Sequence, residues 1–387
     1  TVPAGGRAQA AFYLAAAPER DGAAATVAVL RRRGWRDLLA QTRDALQALE
    51  QTTGLEGVDR LVNRNLLFAY FYAVGRALDD AQYYLVRSRA PWHPAGLTVR
   101  EWEALAWTIP AVQLADPPLA RELILRACEL HGYAPGQGVR YIDGTLFQPG
   151  FSLEGAASYA IAVERYIRET GDDRIVDEPV IADTLYLVSD DIAARRDKRI
   201  PLYSSEVDPG GEPVAKPFTL HGNAVVAQAL DVLRRTLDEE AAREVEDPEA
   251  VRAAMRRHMA TEGANGRFAS ATDLAGNSVY DDDPTASALW LPLYEAIDRS
   301  NSLYRRTAKG ITRDEGAEHL ARECGRLFGP EGQEVLERLR RSPLDAGLAA
   351  ELVDAEGRAV GNGGDAALSG LLAWSAWYAV HALGARG

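Results

Sequence analysis

Hydrophobic residues recur at helical spacing along most of the chain. From Trp35 onward, successive segments place apolar side chains at positions i, i+3, i+4 and i+7, and the stretches between them show almost no strand alternation. The pattern predicts an all-α protein with about a dozen helices. The clearest segments are WRDLLAQTRDALQALE, RLVNRNLLFAYFYAVGRALDD, TVREWEALAWTIPAVQL, PLARELILRACELHG, SLEGAASYAIAVERYIRETG, EPVIADTLYLVSDDIAARR, LHGNAVVAQALDVLRRTLDEE, PEAVRAAMRRHMATEG, PTASALWLPLYEAI, RDEGAEHLARECGRLFG, GQEVLERLRRS and DAALSGLLAWSAWYAVHALG.

The N-terminal residues follow a different pattern. AAFYLA, residues 10–15, predicts a short strand, and a polar turn with a connector follows as far as Gly34. Because one strand is not stable alone, we expect its apolar side chains to pack against the helices or against a domain outside this chain. The predicted organisation is an N-terminal strand and linker over residues 1–34 and a helical domain over residues 35–387.

Several predicted helices are rich in small residues and nearly apolar, including GAASYAIA and GNAVVAQAL. Such helices pack on more than one side, which favours alternating inner and outer helices around a ring. Four long connectors rich in Gly, Pro, Asp and Tyr each come just before a helix, at about residues 132–151, 200–223, 265–284 and 343–364. Long structured loops in a helical domain are usually functional, so we expect them to form a cleft at one end of the ring.

Composition excludes several classes of partner. The formal net charge is −13, and no run of Lys or Arg is free of interleaved acids, which argues against nucleic acid and anionic membranes. A neutral polysaccharide remains compatible. Two distant cysteines and scattered histidines predict neither a disulfide nor a metal site. No apolar run reaches the length of a membrane span, and no leader pattern opens the sequence, so the expected location is the cytoplasm.

The stretch LTVREWEALAWTIPAVQLADP, residues 97–117, combines acids with tryptophans on one predicted helix. At ~100° per residue, Arg100, Glu103 and Trp107 fall on one face and Glu101 points away from it. An acid, a cation and an aromatic ring on one face suit a sugar. We therefore expect Glu103 and Trp107 in the cleft and Glu101 at the surface.

Three segments resemble the glucoamylase and amylo-α-1,6-glucosidase group of six-hairpin glycosidases. LYSSEVDPGGEPVAKPFTLHGNAVVAQAL is similar to the loop with the group's general acid, and GLAAELVDAEGRAVGNGGDAALSGLLAWS to the segment with its general base. YIDGTLFQPGFSLEGAASYAIAVERYIRETGD resembles the segment before the fifth inner helix. The resemblance implies an (α/α)6 toroid of six helical hairpins, with Glu351 as base and Asp208 or Glu206 as acid.

One departure affects the substrate site. Relatives in this group commonly show an Arg-Asp-Ser run on the helix discussed above, where this chain has Trp102, Glu103 and Ala104. Glu103 can still accept hydrogen bonds from sugar hydroxyls, but the neighbouring arginine is replaced by Trp102.

Further candidates come from the loops, and each has a structural alternative. Asp208 suits a turn before Pro209, and His221 can cap its helix instead of facing the cleft. Asp143 suits a turn with Gly144, and the triplet containing Asp282 suits a helix start. The expected substrate-binding residues are Glu103, Trp107, Asp143, Tyr203, His221, Asp282 and Trp374.

The predicted function is hydrolysis of an α-linked glucan or related oligosaccharide with inversion and without a cofactor or metal. Such a reaction needs two carboxyl groups about 6.5–9.5 Å apart, one protonated and one acting on water. Two alternatives stay open. One is a catalytically lapsed, glycan-binding protein, favoured by Trp102. The other is a polysaccharide lyase or sugar epimerase, which needs a Tyr or His base and more cations than these loops contain.

Overall fold

The computed structural model describes residues 2–78, 80–94, 96–261, 263, 266–311, 316–381 and 384. The α-helices are α1 (Arg20–Arg33), α2 (Trp35–Leu49), α3 (Glu56–Tyr72), α4 (Ile109–Ala115), α5 (Pro117–His131), α6 (Leu153–Thr170), α7 (Pro179–Ala193), α8 (Leu220–Thr236), α9 (Glu239–Glu244), α10 (Pro248–His258), α11 (Ser302–Gly310), α12 (Leu320–Arg326), α13 (Gly332–Arg341) and α14 (Ala366–His381). A π-helix occupies Glu103–Thr108, and 3-10 helices occupy Asp173–Asp177 and Ala288–Trp290.

Short strands lie in the connectors. They are β1 (Val74–Arg76), β2 (Tyr83–Leu85), β3 (Thr98–Val99), β4 (Gln137–Tyr141), β5 (Leu146–Phe151), β6 (Phe218–Thr219), β7 (Ala271–Thr272), β8 (Ser278–Val279), β9 (Glu318–His319), β10 (Leu352–Val353) and β11 (Ala359–Val360). They form small sheets in the orders β1-β2, β3-β4-β5, β6-β7-β8 and β11-β10-β9. The three-stranded sheets are antiparallel.

The chain divides into two compact units. The N-terminal unit comprises residues 1–50 and 76–82, and the helical body comprises residues 51–75 and 83–387. In the N-terminal unit, α1 and α2 contact each other and neither contains a buried residue. Helix α2 was expected in the helical domain, and the boundary at residue 34 stays a prediction.

The strand predicted at residues 10–15 is wrong, because these residues have no regular secondary structure. Phe12 and Leu14 are 90% and 88% exposed, so the expected packing of their side chains within this chain is wrong. The other alternative, packing against a domain outside this chain, stays a prediction. The connector after residues 10–15 is helical as α1. Its run of alanines, the strongest helix formers, explains why this segment is a helix.

The helical body is a ring of outer and inner helices, as predicted for an (α/α)6 toroid. Successive outer and inner partners are α3 with the π-helix and α4, α5 with α6, α7 with α8, α10 with residues 288–297, α11 with α12, and α13 with α14. The inner elements contact one another in order, from α4 through α6, α8, the second 3-10 helix and α12 to α14. Helix α14 contacts α4 and so closes the ring.

Burial follows this arrangement. Helices α6, α8 and α14 are buried on nearly every face, as expected of helices with neighbours all around. The fourth inner element is shorter than the predicted helix PTASALWLPLYEAI, and turns follow its 3-10 start at Ala288. Pro292 explains this, because proline in a helix interior removes a backbone hydrogen bond.

The four long connectors bond to one another. Between the first and second, Glu206 N donates to Phe151 O at 2.8 Å. Strands β6 and β7 join the second to the third. Between the third connector and the start of α12, Arg322 pairs with Asp282, and Leu320 N donates to Glu351 O of the fourth. The connectors thus form one continuous layer, as expected if they lie at the same end of the ring.

Candidate functional site

The first inner helix contains the π-helix, which begins at Glu103. Its hydrogen bonds reach one residue further back than in an α-helix, and Ile109 N donates to Ala104 O. The guanidinium of Arg165 on α6 is fully buried and donates to Ala106 O at 3.0 Å. Arg165 also lies over the Trp374 ring, 4.5 Å from its centroid. The sequence pattern does not reveal this contact, which stabilises the π-helix from the neighbouring helix.

Glu101 is buried, with 5% of its surface exposed, so its expected position at the surface is wrong. The Tyr159 hydroxyl and the Gly136 N–H each donate to its carboxyl group at 2.7 Å. Burial raises the pKa of Glu101 to about 7, against the opposing effect of the Tyr159 hydrogen bond. The expectation failed because an inner helix has protein on every side.

Glu103 is also buried, with 3% of its surface exposed, and it contacts two arginines. Arg100 Nη1 lies 2.9 Å from its Oε1, and Arg87 Nε lies 3.2 Å from its Oε2. Arg87 Nη2 also lies 2.9 Å from Asp365 Oδ2. Burial lowers the pKa of Arg87, but Glu103 and Asp365 outweigh it and the net shift is upward. We call Arg87, Arg100, Glu103 and Asp365 the arginine cluster.

Glu351 lies within electrostatic range of this cluster, because its charge also raises the pKa of Arg87. Its side chain is exposed, directly before β10. Asn65 on α3 fixes the loop leading to it, donating to Gly347 O at 3.0 Å and accepting from Ala349 N at 2.8 Å. The structure therefore holds the base candidate at a defined position while leaving its carboxyl group open to water.

Asp208 lies in a turn of the second connector, beside the arginine cluster. Its Oδ1 accepts from Glu212 N at 2.9 Å. A Cβ placed on Gly210 would lie 3.1 Å from Asp208 Oδ1 and 3.9 Å from Arg100 Nη1, so the turn approaches Arg100 closely. Burial raises the pKa of Asp208 to about 6, and the charges of Asp283 and Glu154 add to the rise.

Glu206 has a different environment from Asp208. Arg195 Nη1 lies 2.6 Å from its Oε1, and Phe151 N donates to its Oε2 at 3.0 Å. Its side chain is 55% exposed, and the hydrogen bond from Arg195 lowers its pKa. Of the two acid candidates, only Asp208 therefore has an environment that retains a proton towards neutral pH.

His221 and Glu154 form a buried pair. His221 Nδ1 lies 2.9 Å from Glu154 Oε1, and both residues are 1% exposed. The imidazole meets the rings of Trp102 and Tyr294 edge to face, each with centroids 5.5 Å apart. Among the described residues, His221 Nε2 has no hydrogen-bond partner. The charge of Glu154 reaches Asp208, so this pair lies near the acid candidate.

Asp282 lies in the wall of a pocket of about 420 Å³ in the third connector. Its Oδ2 is 3.0 Å from Arg322 Nε, and its Oδ1 accepts from Ala288 N at 3.1 Å. Burial raises the pKa of Asp282 despite these contacts.

The remaining predicted residues have their contacts elsewhere. Tyr203 is buried near Arg196 and Glu246, and burial raises its pKa to about 12. Trp374 stacks on Tyr378 in the core, and Trp107 is buried in the π-helix. Asp143 is exposed at the β4–β5 turn, where it accepts from Thr145 N. Their substrate-binding roles stay predictions, and for Asp143 and Trp374 these contacts fit a structural role.

Two residues of the arginine cluster escaped the sequence analysis. Arg87 and Asp365 are 278 residues apart and come from segments without a pattern that links them. Arg100 was visible on the face of Glu103, as the helical spacing indicated. In the described part of the chain, no group of His, Cys, Asp and Glu is arranged to hold a metal ion, and no helix is both long and apolar enough to cross a bilayer.

Comparison with solved structures supports the fold. A metal-independent α-mannosidase from Streptococcus pneumoniae, in complex with α-1,6-mannobiose, matches with a TM-score of 0.71 at 12% identity, over 88% of this chain and 98% of that chain. A cellobiose 2-epimerase from Spirochaeta thermophila matches with a TM-score of 0.53 at 19% identity, over 90% and 98%. Rex8A from Paenibacillus barcinonensis, complexed with xylose, matches with a TM-score of 0.52 at 14% identity, over 86% and 95%.

These similarities establish the (α/α)6 fold and, at such low identity, nothing finer. No protein-family model and no curated protein matches the chain. One of these neighbours is an α-mannosidase and another is a cellobiose 2-epimerase, so proteins of this fold include enzymes with different reactions.

Proposed function

We propose that this protein hydrolyses an α-linked oligosaccharide with inversion, using Asp208 as general acid and Glu351 as general base. The main support is the raised pKa of Asp208, about 6, in a turn that lies against the same arginine cluster as Glu351. A carboxyl group that keeps its proton near neutrality is what the acid step requires.

The chemistry divides between the two loops. Protonated Asp208 donates to the glycosidic oxygen as the bond to the anomeric carbon breaks. Glu351, open to solvent, accepts a proton from the water that attacks the opposite face of the sugar. This requires the two carboxyl groups to stand about 6.5–9.5 Å apart with substrate bound.

The arginine cluster supplies the polar contacts to substrate in this proposal. Both oxygens of Glu103 lie against arginines, so its part is to orient Arg87 and Arg100. Planar guanidinium groups fixed in this way donate several hydrogen bonds in a defined geometry, which suits adjacent sugar hydroxyls.

The cluster also weakens the case for a lapsed enzyme. That alternative depended on Trp102 replacing an arginine beside Glu103. Here two other arginines lie beside Glu103 instead. Arg87 comes 16 residues before Glu103 in the chain, and Arg100 comes three residues before it.

A sugar epimerase is the second candidate, and His221 favours it. A histidine held by Glu154 with Nε2 free of partners among the described residues has the form of a general base. A cellobiose 2-epimerase shares the fold. Against it, His221 is 1% exposed, and a base must reach the proton that it removes.

The test is product analysis on a panel of α-linked gluco- and manno-oligosaccharides, including α-1,6-mannobiose, with the product anomer followed by NMR. Hydrolysis to the inverted anomer is expected. Glu351→Gln and Asp208→Asn should each lower kcat by about 10²–10⁴, as loss of an acid or base does. Glu206→Gln serves as the matched control and should retain most of the activity.

Other outcomes would overturn the proposal. Retention of anomeric configuration, or full activity in Glu351→Gln, would exclude the assigned mechanism. Conversion of a disaccharide to its epimer, lost in His221→Gln, would establish the second candidate. Binding of an oligosaccharide without any turnover would establish the lapsed enzyme.

A further inference from the structure

The pocket in the third connector is separate from the two catalytic candidates. It encloses about 420 Å³, within the range of small-molecule sites. Its walls come from the segment before β7, from the residues after β8, and from helices α11 and α12. The lining residues on which the proposal depends are Arg267, Ser270, Tyr280, Asp281, Asp282 and Arg322.

The pocket adjoins the connector that contains Asp208, because Leu220 N of that connector donates at 2.8 Å to the carbonyl oxygen of Ser270, which lines the pocket. Asp282 lines it, and the following residue, Asp283, is close enough for its charge to raise the pKa of Asp208. A chain of sugars bound at Asp208 and extended towards Asp283 would approach the pocket.

Arginines and acidic side chains lie together at the pocket. Arg322 is paired with Asp282 at 3.0 Å and lies 3.5 Å from Glu318. Arg267 stacks over Tyr280, 4.5 Å from the ring centroid, and Asp281 lies at the same wall. Among the described residues, the lining holds two arginines and two aspartates, and with Glu318 beside Arg322 there is no excess of positive charge for an anion. These side chains provide hydrogen-bond donors and acceptors side by side, which is what the hydroxyls of a neutral sugar need.

We propose that this pocket is a subsite for an additional neutral sugar unit of the substrate, held by the Arg267–Tyr280 wall and by polar groups around the Asp282–Arg322 pair. The proposal rests on the proposed hydrolase function and adds to it a preference for chain length. A disaccharide would fill only the site at Asp208 and Glu351, whereas a tri- or tetrasaccharide would also occupy the pocket.

The experiment compares kcat/KM for α-linked di-, tri- and tetrasaccharides of the sugar that the protein hydrolyses. The tetrasaccharide should exceed the disaccharide by about tenfold, the effect of one or two added hydrogen bonds. Tyr280→Ala should remove most of this ratio. Tyr186→Ala is the matched control, because Tyr186 is 38% exposed on α7 and bonds to Asp238. It should leave the ratio as in the unmodified protein.

The outcomes separate this proposal from the preceding one. Hydrolysis with equal kcat/KM at every length, or a ratio unchanged in Tyr280→Ala, would overturn the subsite and leave the hydrolase intact. If no substrate is hydrolysed, saturation-transfer NMR with α-1,6-mannotetraose and maltotetraose tests the pocket directly. Weaker binding in Tyr280→Ala than in Tyr186→Ala would support it, and equal binding would overturn it. Stronger binding of an oligogalacturonate than of either neutral sugar would overturn the assignment to a neutral ligand.

Discussion

Glu101 and Glu103 lie two residues apart on the same inner helix, and both are buried, yet their partners differ in kind. Glu101 binds neutral donors, the Tyr159 hydroxyl and the Gly136 N–H. Glu103 binds two arginines, one of which also binds Asp365. Neutral donors leave burial as the dominant influence on Glu101, and its pKa rises to about 7.

The comparison shows two uses of a buried acid around one helix. The Glu101 contacts tie the first inner helix to α6 and to the loop before β4, with no exposed group at their centre. The Glu103 contacts fix two cations beside Asp208 and Glu351. Burial alone therefore does not distinguish the two acids, whereas the charge of their partners does.

The largest expected effect follows from removing the cation shared by Glu103 and Asp365. Arg87→Met leaves both buried carboxylates without that partner. Removing one member of a buried ion pair destabilises a protein by about 3–5 kcal/mol. Urea unfolding at neutral pH measures the loss.

The control for this variant is an exposed ion pair on α3. Arg60 lies 3.8 Å from Glu56, with side chains 78% and 96% exposed. Arg60→Met should leave the unfolding midpoint unchanged, because exposed pairs contribute little. Equal stability of Arg87→Met and Arg60→Met would show that the arginine cluster does not contribute to the free energy of unfolding.

The next effect concerns pH and Glu101. Its folded-state pKa of about 7 exceeds the ordinary value of 4.5, so the folded protein holds this proton more tightly than the unfolded chain. Its contribution to stability is complete below pH 4.5 and is lost as the pH rises through 7, by about 3 kcal/mol. Glu101→Gln should flatten the stability curve over this interval relative to the unmodified protein. Parallel curves of stability against pH for the two proteins would contradict the raised pKa of Glu101.

The smallest effect concerns Arg165, which contacts the π-helix that begins at Glu103 and precedes α4. Arg165→Lys keeps the charge but cannot both reach Ala106 O and stack as a plane on Trp374. A buried carbonyl without its donor destabilises by about 1–3 kcal/mol. We also expect kcat to fall more than KM rises, because Glu103 begins the π-helix and would shift with it, together with its partner Arg100. Loss of stability with unchanged kcat would show that Arg165 has only a structural role.

The sequence by itself determined the helices and their arrangement. Apolar spacing and small-residue helices predicted a ring of inner and outer helices, because a helix that is apolar on all faces must be enclosed by others. The resemblance to six-hairpin glycosidases implied that the ring has six hairpins. The long loops with Asp208 and Glu351 were also visible, since turn residues interrupt helical periodicity. The predicted secondary structure was wrong at two places, the exposed residues 10–15 and the fourth inner element. At both, the local residue pattern alone does not decide the backbone conformation.

Only the tertiary structure decided how the acids differ. Helical spacing assigned Glu101 to the surface, whereas the ring surrounds it with protein. Asp208 and Glu206 differ in pKa because Asp208 is more buried, with the charges of Asp283 and Glu154 adding to the rise, whereas Arg195 lowers the pKa of Glu206. Arg87 and Asp365 meet across 278 residues of sequence. Electrostatic environment is a property of neighbours in space, and one sequence without its fold does not specify those neighbours.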